Sequence, residues 1–316
     1  MNFFRDLFSL MGTSGLWHSS LQYAALLLLP ALGGVISERS GVVNIAMEGM
    51  MLTGAFFAVA IDLAVHNVFI AVLGAMIAGG LMAAIHAVVS IRFRADQIVS
   101  GVAINIFAGG ITVFLINRLY GLSDVGYVPS HDTLPNLKIP LLSGIPFFGR
   151  ILFEQNIMVY VALLLLVTTQ VVLFRTRLGL RIRSVGEHPQ AADTAGINVY
   201  VLRYGAVITS GLLSGLAGAF LSIGLANTFV PGMTDGRGYI ALAAMIFGKW
   251  TPFGAFGATL IFGFGQAIYD ANSSIHISPY FLSMTPYLLT LVVLAAVVRR
   301  SSPPAADGIP YVPGAE

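Results

Sequence analysis

The chain has 316 residues, 57% of them hydrophobic and only 9% charged, where an ordinary soluble domain carries roughly a quarter charged residues, so a water-soluble globule is excluded. Sixteen lysines and arginines against fourteen acidic residues leave a formal charge of +2, and the basic residues fall in a few short places, so no nucleic-acid-binding face is implied. Cysteine is absent, which removes disulfides, thiolate metal sites and cysteine nucleophiles.

A helix that crosses the hydrocarbon core of a bilayer, roughly 30 Å thick, needs about 20 apolar residues. In chain order, the runs 21–37, 43–61, 65–91, 98–117, 157–174, 204–225, 252–268 and 280–298 qualify. A further run, 239–247, is too short to span and reads as a half-helix or re-entrant piece, tolerated where protein or a wet cavity covers its backbone. The expected fold is an all-α integral membrane protein of about eight or nine transmembrane helices, one of them short or broken. Arg5 ahead of the first run resembles a signal peptide, but the unbroken succession of later spans favours an uncleaved first helix.

Orientation follows from the basic residues, which short cytoplasmic loops collect. The connection 175–203, with Arg175, Arg177, Arg181, Arg183 and Arg203, and the pair Arg299 and Arg300 are placed inside. Arg39, Arg92, Arg94 and Lys249 then also lie inside and Arg5, Arg118, Lys138, Arg150 and Arg237 outside, eleven against five. The chain starts outside and ends in the cytoplasm, provided that the run 239–247 reaches the cytoplasmic face near Lys249. Residues 1–300 form one polytopic domain. The outer connection 118–155 contains Pro129, Pro135, Pro140 and Pro146 and reads as an irregular loop with room for a short extended pair. Residues 301–316, with Pro303, Pro304, Pro310 and Pro313, are expected to be a disordered cytoplasmic tail.

Within the inner connection, Pro189 suits the first position of a helix and Gly196 the position just past its end, so the spacing predicts a short helix over 189–195. Isolated helices shorter than about 12 residues are marginal in water. Its face of Ala191, Ala192 and Ala195 has no long side chains with which to build a core, so it should lie against an existing surface. A groove on a cytoplasmic partner is the functional reading; the alternative is a solvated loop whose arginines only set topology.

The run Ser210-Gly211-Leu212-Leu213-Ser214-Gly215-Leu216-Ala217-Gly218 puts Gly211 and Gly215 on one helix face, where a neighbouring backbone can approach closely; with Gly218 these are read as helix-packing residues. Polar groups inside spans usually face a partner or a water path. Glu48 and Asn44, four apart, and Asn105 are the candidates for a translocation path, with a structural hydrogen bond as the alternative. Asp96 and Gln97 should cap the fourth helix, and Asp270 closes the run 252–268 near the outer face. His86 is a lone intramembrane histidine; His18, His66, His131, His188 and His276 are scattered, and no pair has the spacing of a metal-binding helix face. No nucleophile with an aligned base is signalled. The sole Gly-Lys pair, Gly248-Lys249, is followed by Trp250 and not by Ser or Thr, so a phosphate-binding loop is missing and ATP would be hydrolysed by another chain. Setting Gly41-Val42-Val43-Asn44-Ile45-Ala46 beside Gly238-Tyr239-Ile240-Ala241-Leu242-Ala243 gives two identities, a short hint of internal duplication.

The stretch Gly33-Gly34-Val35-Ile36-Ser37-Glu38-Arg39-Ser40-Gly41-Val42-Val43-Asn44-Ile45-Ala46-Met47-Glu48-Gly49-Met50-Met51 resembles the N-terminal signature of permease subunits of bacterial ABC importers, in the branch that includes ribose and branched-chain amino acid permeases. The inner loop from Gly179 to Gly196, with Gly186-Glu187-His188-Pro189, and the stretch from Gly236 to Gly248 resemble the same branch, so the likeness runs from about residue 21 to 298 in order. The wording from Ser37 to Gly49 is most similar to permeases of nucleoside uptake systems. The resemblance implies a multi-pass protein of the bacterial inner membrane that is not itself an enzyme and binds no cofactor. It also implies a cytoplasmic ATPase that uses ATP, a second homologous permease, an outward-side substrate-binding lipoprotein, and a nucleoside substrate, a purine in the first instance. The family's coupling helix maps onto 187–196, making Gly186, Glu187, His188, Pro189, Ala191, Ala192 and Gly196 the expected coupling residues. The family uses Asn more often than His at position 188, a departure that a capping role tolerates. A sugar or branched-chain amino acid importer shares every physical feature above and differs only in solute; an ion-coupled secondary transporter would act as a lone chain and depend on the charge of Glu48.

Overall fold

The structure, a computed structural model, describes residues 11–121, 126–140, 143–271 and 302–314. Its helices in chain order are α1 (Ser14–Glu38), α2 (Met47–Val65), α3 (Val68–Ala87, continued by a π-helical turn Val88–Arg92), α4 (Gln97–Tyr120), the short α5 (Phe148–Phe153), α6 (Ile157–Arg175), α7 (Arg177–Glu187), α8 (Pro189–Thr194), α9 (Val199–Ala219, continued as π-helix Phe220–Ala226), α10 (Arg237–Phe247) and α11 (Pro252–Asp270). Among the described residues six helices, α1 to α4, α6 and α9, are long and apolar enough to cross a membrane. Helix α11 has 19 residues but is diluted by Gly254, Gly257, Gly263, Gly265 and Gln266. The expected span 280–298 lies outside the described residues. The architecture is that of an all-helical integral membrane protein.

Several helix starts are set locally by side-chain caps, which satisfy amide groups that have no partner inside the helix. Asn67 accepts from Phe69 and Ile70, Asp96 from Ile98 and Val99, and Asn198 from Val201. The third helix therefore begins at Val68 and not at residue 65: His66, with φ of 54°, ends α2 in a left-handed turn, and Asn67 opens α3.

Helix α9 occupies the centre and packs against α1, α2 and α3. Small residues allow this. A Cβ on Gly211 would lie 2.5 Å from the Gly79 carbonyl oxygen, one on Gly215 2.3 Å from that of Ala75, and one on Gly218 2.1 Å from that of Met51. Helix backbones are thus in direct contact, which in a bilayer replaces the hydrophobic driving force with close van der Waals packing. On the far side of the bundle α11 lies along α1, where a Cβ on Gly263 would meet Ser20 O at 2.6 Å. The outer faces of α3, α4 and α6 stay apolar and exposed, with Leu81, Ile106, Phe114 and Leu164 among the residues there.

Among the described residues two short antiparallel pairs interrupt the helices. Strand β2 (Asn136–Lys138) pairs with β3 (Glu154–Asn156), the extended pair expected in the outer connection. Strand β1 (Val128–Pro129) pairs with β4 (Thr228–Phe229), tying that connection to the segment after α9.

The expectation of a disordered tail over 301–316 is corrected for residues 302–314, which pack onto the bundle. Ala306 and Tyr311 are buried, Ala306 N–H donates to Gly186 O at 2.9 Å, and Arg203 Nη1 donates to Ile309 O at 3.0 Å. The prolines read as breakers stiffen the chain, lowering the entropy lost on docking, and Tyr311 supplies apolar area that the proline-based reading did not weigh.

Candidate functional site

Between α1 and α2 the chain does not turn back at the surface. Residues 42–46 form no helix and are mostly buried. Asn44 Nδ2 donates to Ser210 Oγ at 2.8 Å, and Ser210 lies roughly 16 Å along α9 from Val199, at about 1.5 Å per residue. The segment thus reaches well into the bundle, and α2 starts there.

Irregular backbone at that depth must have its polar groups satisfied by protein, since each one left unpaired away from water costs several kcal/mol. Polar side chains from the surrounding spans do this. Val43 N–H donates to Gln97 Oε1 at 2.7 Å, and Val43 O accepts from His86 Nε2 at 3.1 Å. Ile45 O accepts from Asn105 Nδ2 at 3.0 Å, while Asn105 Oδ1 accepts from Gly49 N–H at 2.8 Å. Val42 O accepts from Ser37 Oγ at 2.7 Å, and Asn44 Oδ1 takes Ala46 N–H at 3.1 Å. A carbonyl has no proton to give, so His86 carries its proton on Nε2, leaving Nδ1 to accept from Ser100 Oγ at 3.0 Å.

Glu48 faces the short helix α10. Its Oε1 accepts from Gly236 N–H at 2.9 Å and its Oε2 from Gly238 N–H at 2.6 Å, so the carboxylate sits where the unpaired amides and dipole of a helix N-terminus favour negative charge. Gly238 permits the approach: a Cβ there would lie 2.5 Å from Glu48 Cα. With 11 residues, α10 spans roughly 16 Å and runs from this internal point towards Trp250, whose Nε1 donates to Glu38 Oε2 at 2.5 Å. It is a half-helix, in keeping with the short apolar run 239–247. Asn105 Nδ2 also donates to Tyr239 OH at 2.8 Å, so Asn44, Glu48 and Asn105 belong to one assembly joining α2, α4, α9 and α10.

Gln97 does not cap α4. Asp96 alone makes that cap, and Gln97 turns inward to the broken segment, where it is buried. The sequence does not mark His86, Gln97, Ser100 and Tyr239 as parts of the site, because their signal is polarity inside or at the edge of an apolar run, which alone names no partner. Asn105→Ala, which leaves Gly49 N–H and Ile45 O without their partner, is expected to destabilise the purified protein by about 2 kcal/mol, read as a lowered thermal midpoint in detergent.

At the arginine-rich end, α7 and α8 fold back beneath the bundle. Arg39 and Arg183 both lie over the ring of Phe174, at 5.8 and 5.0 Å. Pro189 is the first residue of α8 and is buried, and Gly196 just beyond it has φ of 80°. Ala192 packs with Val185, Val199 and Tyr311, whereas Ala191, Ala195, Glu187 and His188 are exposed. Gly186 lies so close to α1 that a Cβ would be 2.3 Å from Arg39 O.

The tail completes this platform. Glu187 Oε2 accepts from Ala305 N–H at 3.2 Å. Asp307 hydrogen-bonds the Glu38 carboxyl and lies near Arg203; burial outweighs the pull of Arg203 and pushes its carboxyl from 3.8 up to about 7. Between those values the docked tail holds a proton that a detached tail has released, so docking weakens as pH rises across that window and levels off above about 7. Glu38 and Arg203 are the ionisable groups that act on it. Proteolytic cleavage of the tail is expected to quicken from about pH 5 to about pH 7, with a flatter profile in Asp307→Asn.

The model of the family described as branched-chain amino acid transport system / permease component matches residues 17–298. The chain is 45% identical over 307 residues to the guanosine ABC transporter permease protein NupQ of Bacillus subtilis, covering 94% of this chain and 96% of the relative. It is 39% identical over 303 residues to the nucleoside ABC transporter permease protein NupC of Lactococcus lactis subsp. cremoris, covering 92% and 95%. A lower likeness, 26% over 242 residues, covering 75% and 68%, relates it to the guanosine ABC transporter permease protein NupP of Bacillus subtilis. No solved structure matches. With the family model spanning most of its length, the chain belongs to the branched-chain amino acid transport system / permease component family.

Proposed function

We propose that the chain is a permease subunit of an ABC importer for nucleosides, guanosine being the first candidate. The observation that carries this is the 45% identity over 94% of the chain to a guanosine permease. The chain is a transporter subunit and not an enzyme; a separate ATPase supplies the energy. Likeness to two different guanosine permeases of one organism, NupQ and NupP, and to NupC and NupB of another, supports a partnership of two unlike permeases. A lipoprotein on the outer side would deliver the solute. The protein is read as multi-pass in the bacterial inner membrane, with eight or nine spans and a cytoplasmic C-terminus.

In this reading the broken segment 42–46 and the half-helix α10 form part of the path wall, with Asn44, Glu48 and Asn105 holding them in place. A nucleoside is neutral and rich in hydrogen-bonding groups, which suits a wall built of amide and hydroxyl groups with its one carboxylate already engaged. Transport follows alternating access: the ATPase closes on ATP, α8 is pushed, and the wall moves. A sugar importer is the second reading, favoured by 34% identity to a putative glucose ABC transporter permease protein of Haloferax volcanii, TsgC13.

Affinity purification of the tagged chain from its native membrane, followed by uptake of labelled guanosine in proteoliposomes, tests this. Recovery of an ATPase and a second permease, with uptake that needs ATP and is competed by guanosine but not glucose, is the expected result. Uptake by the chain alone without ATP would overturn it, and competition by glucose alone would move the substrate to sugars. The coupling role of α8 is tested separately. Pro189→Ala and Gly196→Leu, the second forcing a side chain into a left-handed position, are expected to lower uptake per ATP at least about tenfold, the equivalent of about 1.4 kcal/mol. Insertion and ATPase recovery should be unchanged, and unaltered uptake per ATP would remove the assignment.

A further inference from the structure

The tail does more than cover the end of the bundle, because its contacts fall on both the helix read as the coupling helix and the root of the broken segment. On one side Tyr311 is buried among Val185, Ala192 and Val199, stacks edge-on to Tyr200 at 5.5 Å, and hydrogen-bonds Asp193 of α8 through its hydroxyl. Ala305 and Ala306 donate their N–H groups to Glu187 and Gly186, immediately before α8. On the other side the tail meets the segment that leads into the bundle. A Cβ on Gly41 would lie 3.0 Å from Ala306 O, and one on Gly308 3.5 Å from Val43 Cγ2. Arg203, buried at the start of α9, joins the two: its Nε donates to Ser40 O at 3.2 Å and its Nη1 to Ile309 O at 3.0 Å.

We propose that residues 302–314 are a mechanical link that positions α8 against the root of the segment 42–46, so that displacement of α8 reaches the path wall through the tail. The inference rests on the reading of α8 as the coupling helix. Physically, α8 has only 6 residues and makes few contacts of its own with the bundle, so a push on it would be lost in bending the flanking loops unless another element tied it to the moving part. The tail is such an element, since hydrogen bonds to backbone and a buried aromatic ring hold it at both ends. Tyr311 is accordingly a positioning residue.

The test uses the complete importer, with both permeases, the ATPase and the binding protein, in proteoliposomes. Uptake and ATP hydrolysis are measured together for a chain ending at Arg300 and for Tyr311→Ala and Tyr311→Phe. The truncated chain and Tyr311→Ala are expected to keep ATP hydrolysis while uptake per ATP falls at least about tenfold. Tyr311→Phe, which keeps the buried ring and loses only the hydroxyl contact to Asp193, should retain most of the coupling. Wild-type uptake per ATP in the truncated chain overturns the link. Should truncation prevent assembly, Tyr311→Ala decides alone, and a wild-type ratio there overturns it equally. The two readings fail differently: unchanged coupling in Pro189→Ala and Gly196→Leu removes the role of α8 itself, whereas normal coupling without the tail, with those two variants still uncoupled, removes only the link.

Discussion

Gly215→Leu is expected to abolish accumulation of the folded permease in the membrane. A Cβ at this position would lie 2.3 Å from Ala75 O and 3.1 Å from Met76 Cα, and Gly215 Cα is itself only 2.6 Å from where a Cβ on Gly54 would stand. The obstacle on each side is backbone, which cannot rotate away as a side-chain tip can. Helices α2, α3 and α9 would have to separate, and in lipid their close mutual packing is the main force that holds them together. Overpacking typically costs about 1 to 3 kcal/mol even where side chains can adjust, and here the cost falls on three helices that a typical stability of about 5 to 15 kcal/mol must hold. Membrane-fraction immunoblotting and size-exclusion behaviour in mild detergent check this. Gly205→Leu is the control on the same helix, since a Cβ there meets nothing within 4 Å, and it should accumulate normally.

Glu48→Ala should leave the protein inserted but lower transport at least about tenfold. The carboxylate accepts two amide hydrogen bonds at the start of α10, and hydrogen bonds to a charged group contribute about 1.5 to 3 kcal/mol each. Without them Gly236 and Gly238 lose their partner inside the bundle, and the half-helix is held mainly by its packing against α1 and α11. Glu48→Gln should fall between, because the amide keeps one acceptor oxygen but turns its NH2 towards the other donor. Uptake in proteoliposomes, with the thermal midpoint of the purified chain alongside, reads both effects. Loss of transport on neutralising Glu48 therefore does not mark an ion-coupled machine, since the same loss follows from releasing α10. The requirement for ATP separates the two.

Much of the local structure was legible in the sequence because it depends on neighbours a few residues away. Asp96 caps the helix that follows it, Pro189 opens α8, and Gly196 takes the left-handed turn after it; each acts within about one helical turn. The apolar run 239–247 was too short to span for reasons of length alone. Polarity inside spans likewise marked Asn44, Glu48 and Asn105 as residues with a task.

Which task was decided only in three dimensions. Asn44 meets Ser210 across 166 residues of sequence, Asn105 reaches Ile45 across 60 and Tyr239 across 134, and Glu48 finds Gly236 across 188. Periodicity says that a polar group must be satisfied but carries no information on which distant backbone leaves its own groups unpaired. Gln97 and His86 illustrate this, since their partner is the non-helical peptide at Val43. The tail shows the same limit from the other side: its prolines spoke for an irregular chain, which it is, whereas its fixed position comes from Gly186, Arg203 and Tyr200, residues more than 100 positions away. Composition and local stereochemistry determined that this chain lies in a membrane and where α4 and α8 begin. The burial of unpaired peptide groups, a property of the assembled bundle, decided what its polar residues hold.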